Sequence, residues 1–121
     1  MRRPRALAPS VVALGLGLAL VACSSDSTPA DAIAVTAANT TCTVAQTQLS
    51  AGKHSFQVSN TGSQATEVYV YAPGDKVVAE KENIGPGTKA TFSVTLAAGT
   101  YDVACKPGQT GNGIRQALTV T

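Results

Sequence analysis

The chain has 121 residues, of which 44% are hydrophobic and only 4% aromatic, with three cysteines, one histidine and no tryptophan. That length makes one domain of ordinary size. So few aromatics leave no stacking platform for bases or sugars, and no basic patch interleaved with aromatics exists, so nucleic acid is excluded as a partner. The formal net charge of +2 belongs to the N-terminus rather than to a folded surface.

The first residues read as a targeting segment. Met1 to Arg5 is a basic head, Val11 to Leu20 is almost purely apolar, and Leu20-Val21-Ala22-Cys23 closes it with small residues before a cysteine. This is the pattern of a secretory signal peptide, and the apolar run is too short for a transmembrane helix, which needs about 20 residues. The ending resembles the lipobox of bacterial lipoproteins. That resemblance implies a signal peptide over residues 1–22, acylation of the Cys23 sulfur, and a mature protein held by lipid on the extracytoplasmic face of the cell membrane. Several acyl chains make a stable anchor, at about 0.8 kcal/mol per buried methylene. Cleavage at a nearby alanine would instead leave Cys23 a free thiol. Three cysteines in an exported chain leave one unpaired, and lipidation of Cys23 accounts for it. Arg2 and Arg3 lack the surroundings of a folded-protein export signal, so the export route stays open. Loss of residues 1–22 removes Arg2, Arg3 and Arg5, so nine basic residues become six against seven acidic ones, a mature charge of minus one.

Residues 23–32 are small, polar and proline-containing, a tether with nothing to bury. From Ile33 to Thr121 short β-type runs alternate with turn signals, and no helical period appears. Strands are expected over Ile33 to Ala37, Thr43 to Leu49, His54 to Ser59, Glu67 to Tyr71, Val77 to Glu80, Thr88 to Leu96, Thr100 to Cys105 and Arg115 to Val120. Turns fall at Ala51-Gly52, Asn60-Thr61-Gly62, Pro73-Gly74-Asp75, Gly85-Pro86-Gly87, Ala97-Ala98-Gly99 and Gly111-Asn112-Gly113. Alternation assigns Phe56, Val58, Val68, Val70, Phe92, Val94, Leu96, Tyr101, Val103, Leu118 and Val120 to the core. The fold class is all-β, a Greek-key β-sandwich of a single domain.

The stretch from Tyr101 to Gln109 ends a strand with Cys105 and then turns at once through Lys106-Pro107-Gly108. It holds a sulfur at a sheet rim, as half of a disulfide or as a soft metal ligand, and the upstream partners are Cys42 and Glu67. His54, the single histidine, opens a strand far in sequence from that rim and reads as a surface residue. Tyr69 and Tyr71 share one face of a strand, with packing as their default and a place beside a metal as the alternative. Glu80, Lys81 and Glu82 read as a solvated edge. No nucleophile stands near a histidine and no carboxylate pair has a convincing spacing, so no enzyme is expected.

Asn60-Thr61-Gly62 followed by the alternating strand from Glu67 looks like the first half of a cupredoxin signature, and Gly99 to Pro107 looks like the segment that carries the cupredoxin thiolate. Thr41-Cys42-Thr43-Val44, Gly62 to Tyr71, Glu82 to Gly87 and Ala104 to Ile114 are similar to the cupredoxin-like module of the EfeO family, extracytoplasmic proteins of bacterial iron uptake. The resemblance spans Ile33 to Thr121. It implies a cupredoxin-like fold, a bound iron or copper ion, and iron-uptake components as partners. It also implies a ligand set of Cys42, Glu67 and Cys105 with Gln109 as a weak axial oxygen, where such modules commonly carry methionine. Asp102 and Glu82 are second-layer candidates. Glu67 and Gly108 stand where a blue-copper centre has its histidines, which argues against electron transfer. The peptidase-like helical domain that often accompanies the module does not follow within this sequence. Two readings of function come out of this: a lipid-anchored protein binding a transition metal for uptake or handling, or a metal-free envelope interaction module stapled by a Cys42 to Cys105 disulfide.

Overall fold

A computed structural model describes residues 28–121. The signal-peptide and lipobox readings, Cys23 included, lie outside the described residues. Among these residues there are nine strands and no helix: β1 (Ile33–Ala37), β2 (Cys42–Val44), β3 (Gln48–Leu49), β4 (Gly52–Asn60), β5 (Thr66–Ala72), β6 (Lys76–Ile84), β7 (Lys89–Leu96), β8 (Gly99–Pro107) and β9 (Ile114–Val120). They form two sheets, β2-β1-β4-β7 and β3-β9-β8-β5-β6, with the crossovers of a Greek-key sandwich. The expected all-β class is the observed one.

β1 shows how the sequence makes this fold. Ile33, Val35 and Ala37 alternate with exposed Ala34 and Thr36, the period-two pattern that gives one face to the core and one to water. The strand lies between β2, antiparallel, and β4, parallel. Phe56 and Val58 continue the same inner face on β4, and Val68, Val70, Val103, Leu118 and Val120 oppose them from the second sheet, all buried. Each such aliphatic side chain contributes about 1.5–3 kcal/mol by leaving water. Phe92, Val94 and Tyr101 pack against this core while remaining partly exposed.

Two expectations needed correction. The single strand expected over Thr43 to Leu49 is two strands in different sheets. Val44 and Leu49 are both buried although an odd number of positions separates them, which one straight strand cannot achieve on a single face. The chain leaves the first sheet after Val44, where the Ala45 N–H donates to the Ala34 carbonyl at 2.9 Å, and enters the second as β3, parallel to β9. β6, Lys76–Ile84, is longer than the expected Val77 to Glu80, and its ladder with β5 shifts register twice, between Thr66 and Val68 and between Val70 and Tyr71. Each bulge flips the phase of alternation, so no clean period survives in the sequence.

One end of the sandwich gathers the end of β1, the start of β2, the ends of β4, β6 and β8, and the start of β5. Asn60, 3% exposed, ties it together. Its Nδ2 donates to the carbonyls of Gln64 and Ile84, and its Oδ1 accepts the Gly62 N–H at 2.9 Å. The Asn60-Thr61-Gly62 signature is therefore a structural lock between loops.

Candidate functional site

At this end Cys42 and Cys105 form a disulfide, with Cα atoms 5.5 Å apart and 63 positions between them in sequence. It joins β2 of the first sheet to β8 of the second. Cys105 is directly opposite Val68 on the inner face, and both cysteines are buried. Neither sulfur is a thiolate in this state, so the expected pair of thiolate ligands is replaced by a covalent brace.

Glu67 does reach the same end of the sandwich, but on the other side of its sheet. In the β5–β8 ladder Glu67 faces Lys106 while Val68 faces Cys105, and adjacent positions on a strand point to opposite faces. The expected union of Glu67 with Cys105 at one site is therefore corrected by the pleat. The signal lay in the sequence itself: once Val68 and Val70 are assigned to the core, Glu67, Tyr69 and Tyr71 must point outward.

That outer face carries a dense polar and aromatic cluster. Glu67 is only 9% exposed, and the Tyr69 hydroxyl lies 3.5 Å from its Oε2 and 3.3 Å from Oε1 of Glu82. The rings of Tyr69 and Tyr71 stack, with centroids 5.4 Å apart. Lys106 Nζ sits 4.0 Å over the Tyr69 ring, and the Arg115 guanidinium 4.5 Å over that of Tyr71, which are favourable cation–π placements. Arg115 Nη1 donates to Asp75 at 2.7 Å and to Asp102 at 3.3 Å. Burial pushes the Tyr69 phenol well above its usual range, and the carboxylates of Glu80, Glu67 and Glu82 add to the rise. The bond to Asp75 leads in raising the Arg115 guanidinium. Glu82 is exposed on the edge strand β6, as expected of a solvated edge, and also partners Tyr69, while Asp102 is committed to Arg115 rather than placed behind a metal.

Gln109 has a different task from the expected axial ligand. Its N–H donates to the Lys106 carbonyl at 2.9 Å, closing a turn with Pro107 second and Gly108, at φ +73°, third, the arrangement of a type II turn. Its side-chain Oε1 accepts the Asn83 N–H at 2.9 Å, pinning the turn to β6. His54 Nε2 is 2.7 Å from the Ser50 carbonyl, toward the opposite end of β4. Among the described residues no three His, Cys, Asp or Glu side chains come together in a group able to hold a metal.

The cupredoxin-like domain family matches residues 10–120. The chain belongs to that family. Its fold is similar to reduced auracyanin from the photosynthetic bacterium Roseiflexus castenholzii, at 16% identity over 75% of this chain and 97% of that one, with a TM-score of 0.59. It is also similar to a rusticyanin variant, at 20% identity, 75% and 78% coverage and a TM-score of 0.52. A third similar structure is the reduced Cu(I) form of an amicyanin variant, at 19% identity, 74% and 82% coverage and a TM-score of 0.51. A search of curated protein sequences gives no match. Identities this low speak for the fold alone. A Cu(I) ion like the one named for that amicyanin form does not fit the residues present here. Soft copper sites draw on thiolate, thioether and imidazole, and this domain offers a disulfide and one histidine toward the far end of β4.

Proposed function

We propose that this is a lipid-anchored envelope protein that captures a hard transition-metal cation, ferric iron, as cargo for an uptake system. The observation that carries the reading is the Tyr69 hydroxyl between the Glu67 and Glu82 carboxylates, on the outer face of the second sheet. Carboxylate and phenol oxygens suit a hard ion, whereas sulfur suits Cu(I). The resemblance to the EfeO module supports iron uptake as the setting, and the Leu20-Val21-Ala22-Cys23 ending supports lipid anchoring at Cys23. With no cation present the phenol keeps its proton, because burial and three neighbouring carboxylates disfavour phenolate. A trivalent ion reverses that balance and releases the proton.

Fe(III) added as a weak chelate to the purified domain should give a visible phenolate-to-iron absorption with release of about one proton per ion bound. Tyr69→Phe should abolish the absorption, and Glu67→Gln should weaken binding roughly tenfold or more, the scale of losing one charged ligand interaction of about 1.4 kcal/mol. A folded Glu67→Gln protein that binds Fe(III) as tightly as the parent removes the carboxylate from the site. The second reading, a metal-free interaction module, is favoured by the Cys42–Cys105 disulfide, and it becomes the conclusion if the parent domain gives neither absorption nor proton release.

A further inference from the structure

We infer that the disulfide has taken over the inter-sheet position at the Asn60 end for good: the folded, oxidised domain is closed to copper between its sheets, and its sulfurs are out of reach of soluble thiols. Four observations lead there. The whole chain has one histidine, one methionine, which is Met1, and three cysteines, so a centre built from thiolate and several imidazoles cannot be assembled from it. Two of those cysteines are bonded to each other. His54 is held against the Ser50 carbonyl and sits six positions from Asn60 along β4, about 20 Å at 3.3 Å per residue. Both cysteines belong to the buried hydrophobic core of the sandwich, and the one buried side-chain polar atom without a partner among the described residues is the Thr66 Oγ1. Thr66 shares the inner face of β5 with Val68, the residue opposite Cys105. A single neutral hydroxyl is too poor a donor set to hold a cation by itself.

Burial decides the second half of the inference. Cys105 is fully buried and Cys42 nearly so, and both lie in ladder positions of their sheets. Thiol attack on a disulfide needs access to a sulfur. Dithiothreitol would supply two electrons and two protons, leaving two protein thiols and its own cyclic disulfide. In the native state that exchange must wait for an opening that parts the sheets.

The test uses the oxidised domain as purified. Cu(II), and Cu(I) buffered by a competing chelator, are titrated against it with elemental analysis and visible absorption. In parallel, iodoacetamide labelling after dithiothreitol is followed by mass spectrometry under native and denaturing conditions. Expected are no thiolate-to-copper absorption, no copper retained by the sulfurs, and labelling at Cys42 and Cys105 at least roughly a thousandfold slower in the native protein than in denaturant, following the rare open state. A stoichiometric copper absorption, or copper lost on Cys105→Ala but kept in Glu67→Gln, overturns the inference, and so does native labelling as fast as in denaturant. Copper that is indifferent to Cys105→Ala and lost on Glu67→Gln sits on the outer face and leaves the inference standing. Absence of Fe(III) binding sinks the proposed cargo reading without touching this one. The absorption and labelling readouts on the unaltered protein do not depend on whether the cysteine variant folds.

Discussion

Single residues at the Asn60 end carry opposite obligations. Asn60 satisfies both of its amide ends with backbone partners, so it is stabilising even though it is polar and buried. Thr66 does not: at 1% exposure its hydroxyl has no partner, and an unsatisfied buried hydroxyl costs about 1–3 kcal/mol. Valine has nearly the same shape and is the residue at Val68 and Val70 on the same face. Thr66→Val should therefore be neutral or raise stability by about 1 kcal/mol, read as a higher midpoint in urea with an unchanged slope. A loss of stability would mean that the hydroxyl serves a bound group, and the picture of an idle polar atom beside the brace would fail. The sequence carried part of this. Alternation through Val68 and Val70 extends to Thr66 as an inward position, although the strand expected from the sequence begins one residue later, at Glu67. Whether a buried hydroxyl finds a partner depends on neighbours from other strands, which no local pattern contains.

At the level of elements, regular strands were legible and irregular ones were not. β1, β4 and β9 show alternation that survives into the burial pattern. β2 with β3 and the bulged β6 do not, because a sheet switch or an inserted residue changes the face without changing composition. The turn into β9 shows how tightly such connections are fitted. Gly113 adopts φ +82°, and a Cβ placed there would lie 3.0 Å from the Ala104 Cβ and 3.2 Å from the Cys105 carbonyl oxygen. Ala104 is fully buried, and the carbonyl belongs to the ladder strand that bears the brace, so neither neighbour can yield cheaply. Gly113→Ala should cost about 2–3 kcal/mol, combining a left-handed backbone with overpacking. Thermal unfolding would measure it. A variant within about 0.5 kcal/mol of the parent, the spread of ordinary surface changes, would show that the turn can move away from β8.

For the molecule as a whole, the deciding feature is how two thin sheets are kept together by so little aromatic mass. The chain has two phenylalanines, which stack across the β4–β7 pair within one sheet. The inter-sheet core is mainly valine, leucine and isoleucine. A domain of about 90 residues buries only some 60–65% of the surface its unfolded chain exposes, so its core stabilises it modestly. The Cys42–Cys105 bond compensates in the unfolded state: tying residues 63 positions apart removes chain entropy equivalent to about 4 kcal/mol at 25 °C, a large part of the roughly 5–10 kcal/mol that holds such a domain folded. The pairing was one of two readings open from sequence, since a strand-end cysteine serves a metal or a disulfide equally well until the facing strand is known. Replacing both cysteines by alanine should therefore lower stability by about 3–5 kcal/mol, and the urea slope should rise, because an unbraced unfolded chain exposes more surface. Single alanine variants at either position lose the same cross-link and should fall by a similar amount, since the thiol left behind behaves as a small apolar group. If the double variant lost less than about 1 kcal/mol with an unchanged slope, the valine-rich core would be sufficient alone, and the brace would have to be explained by what it shuts out rather than by what it holds together.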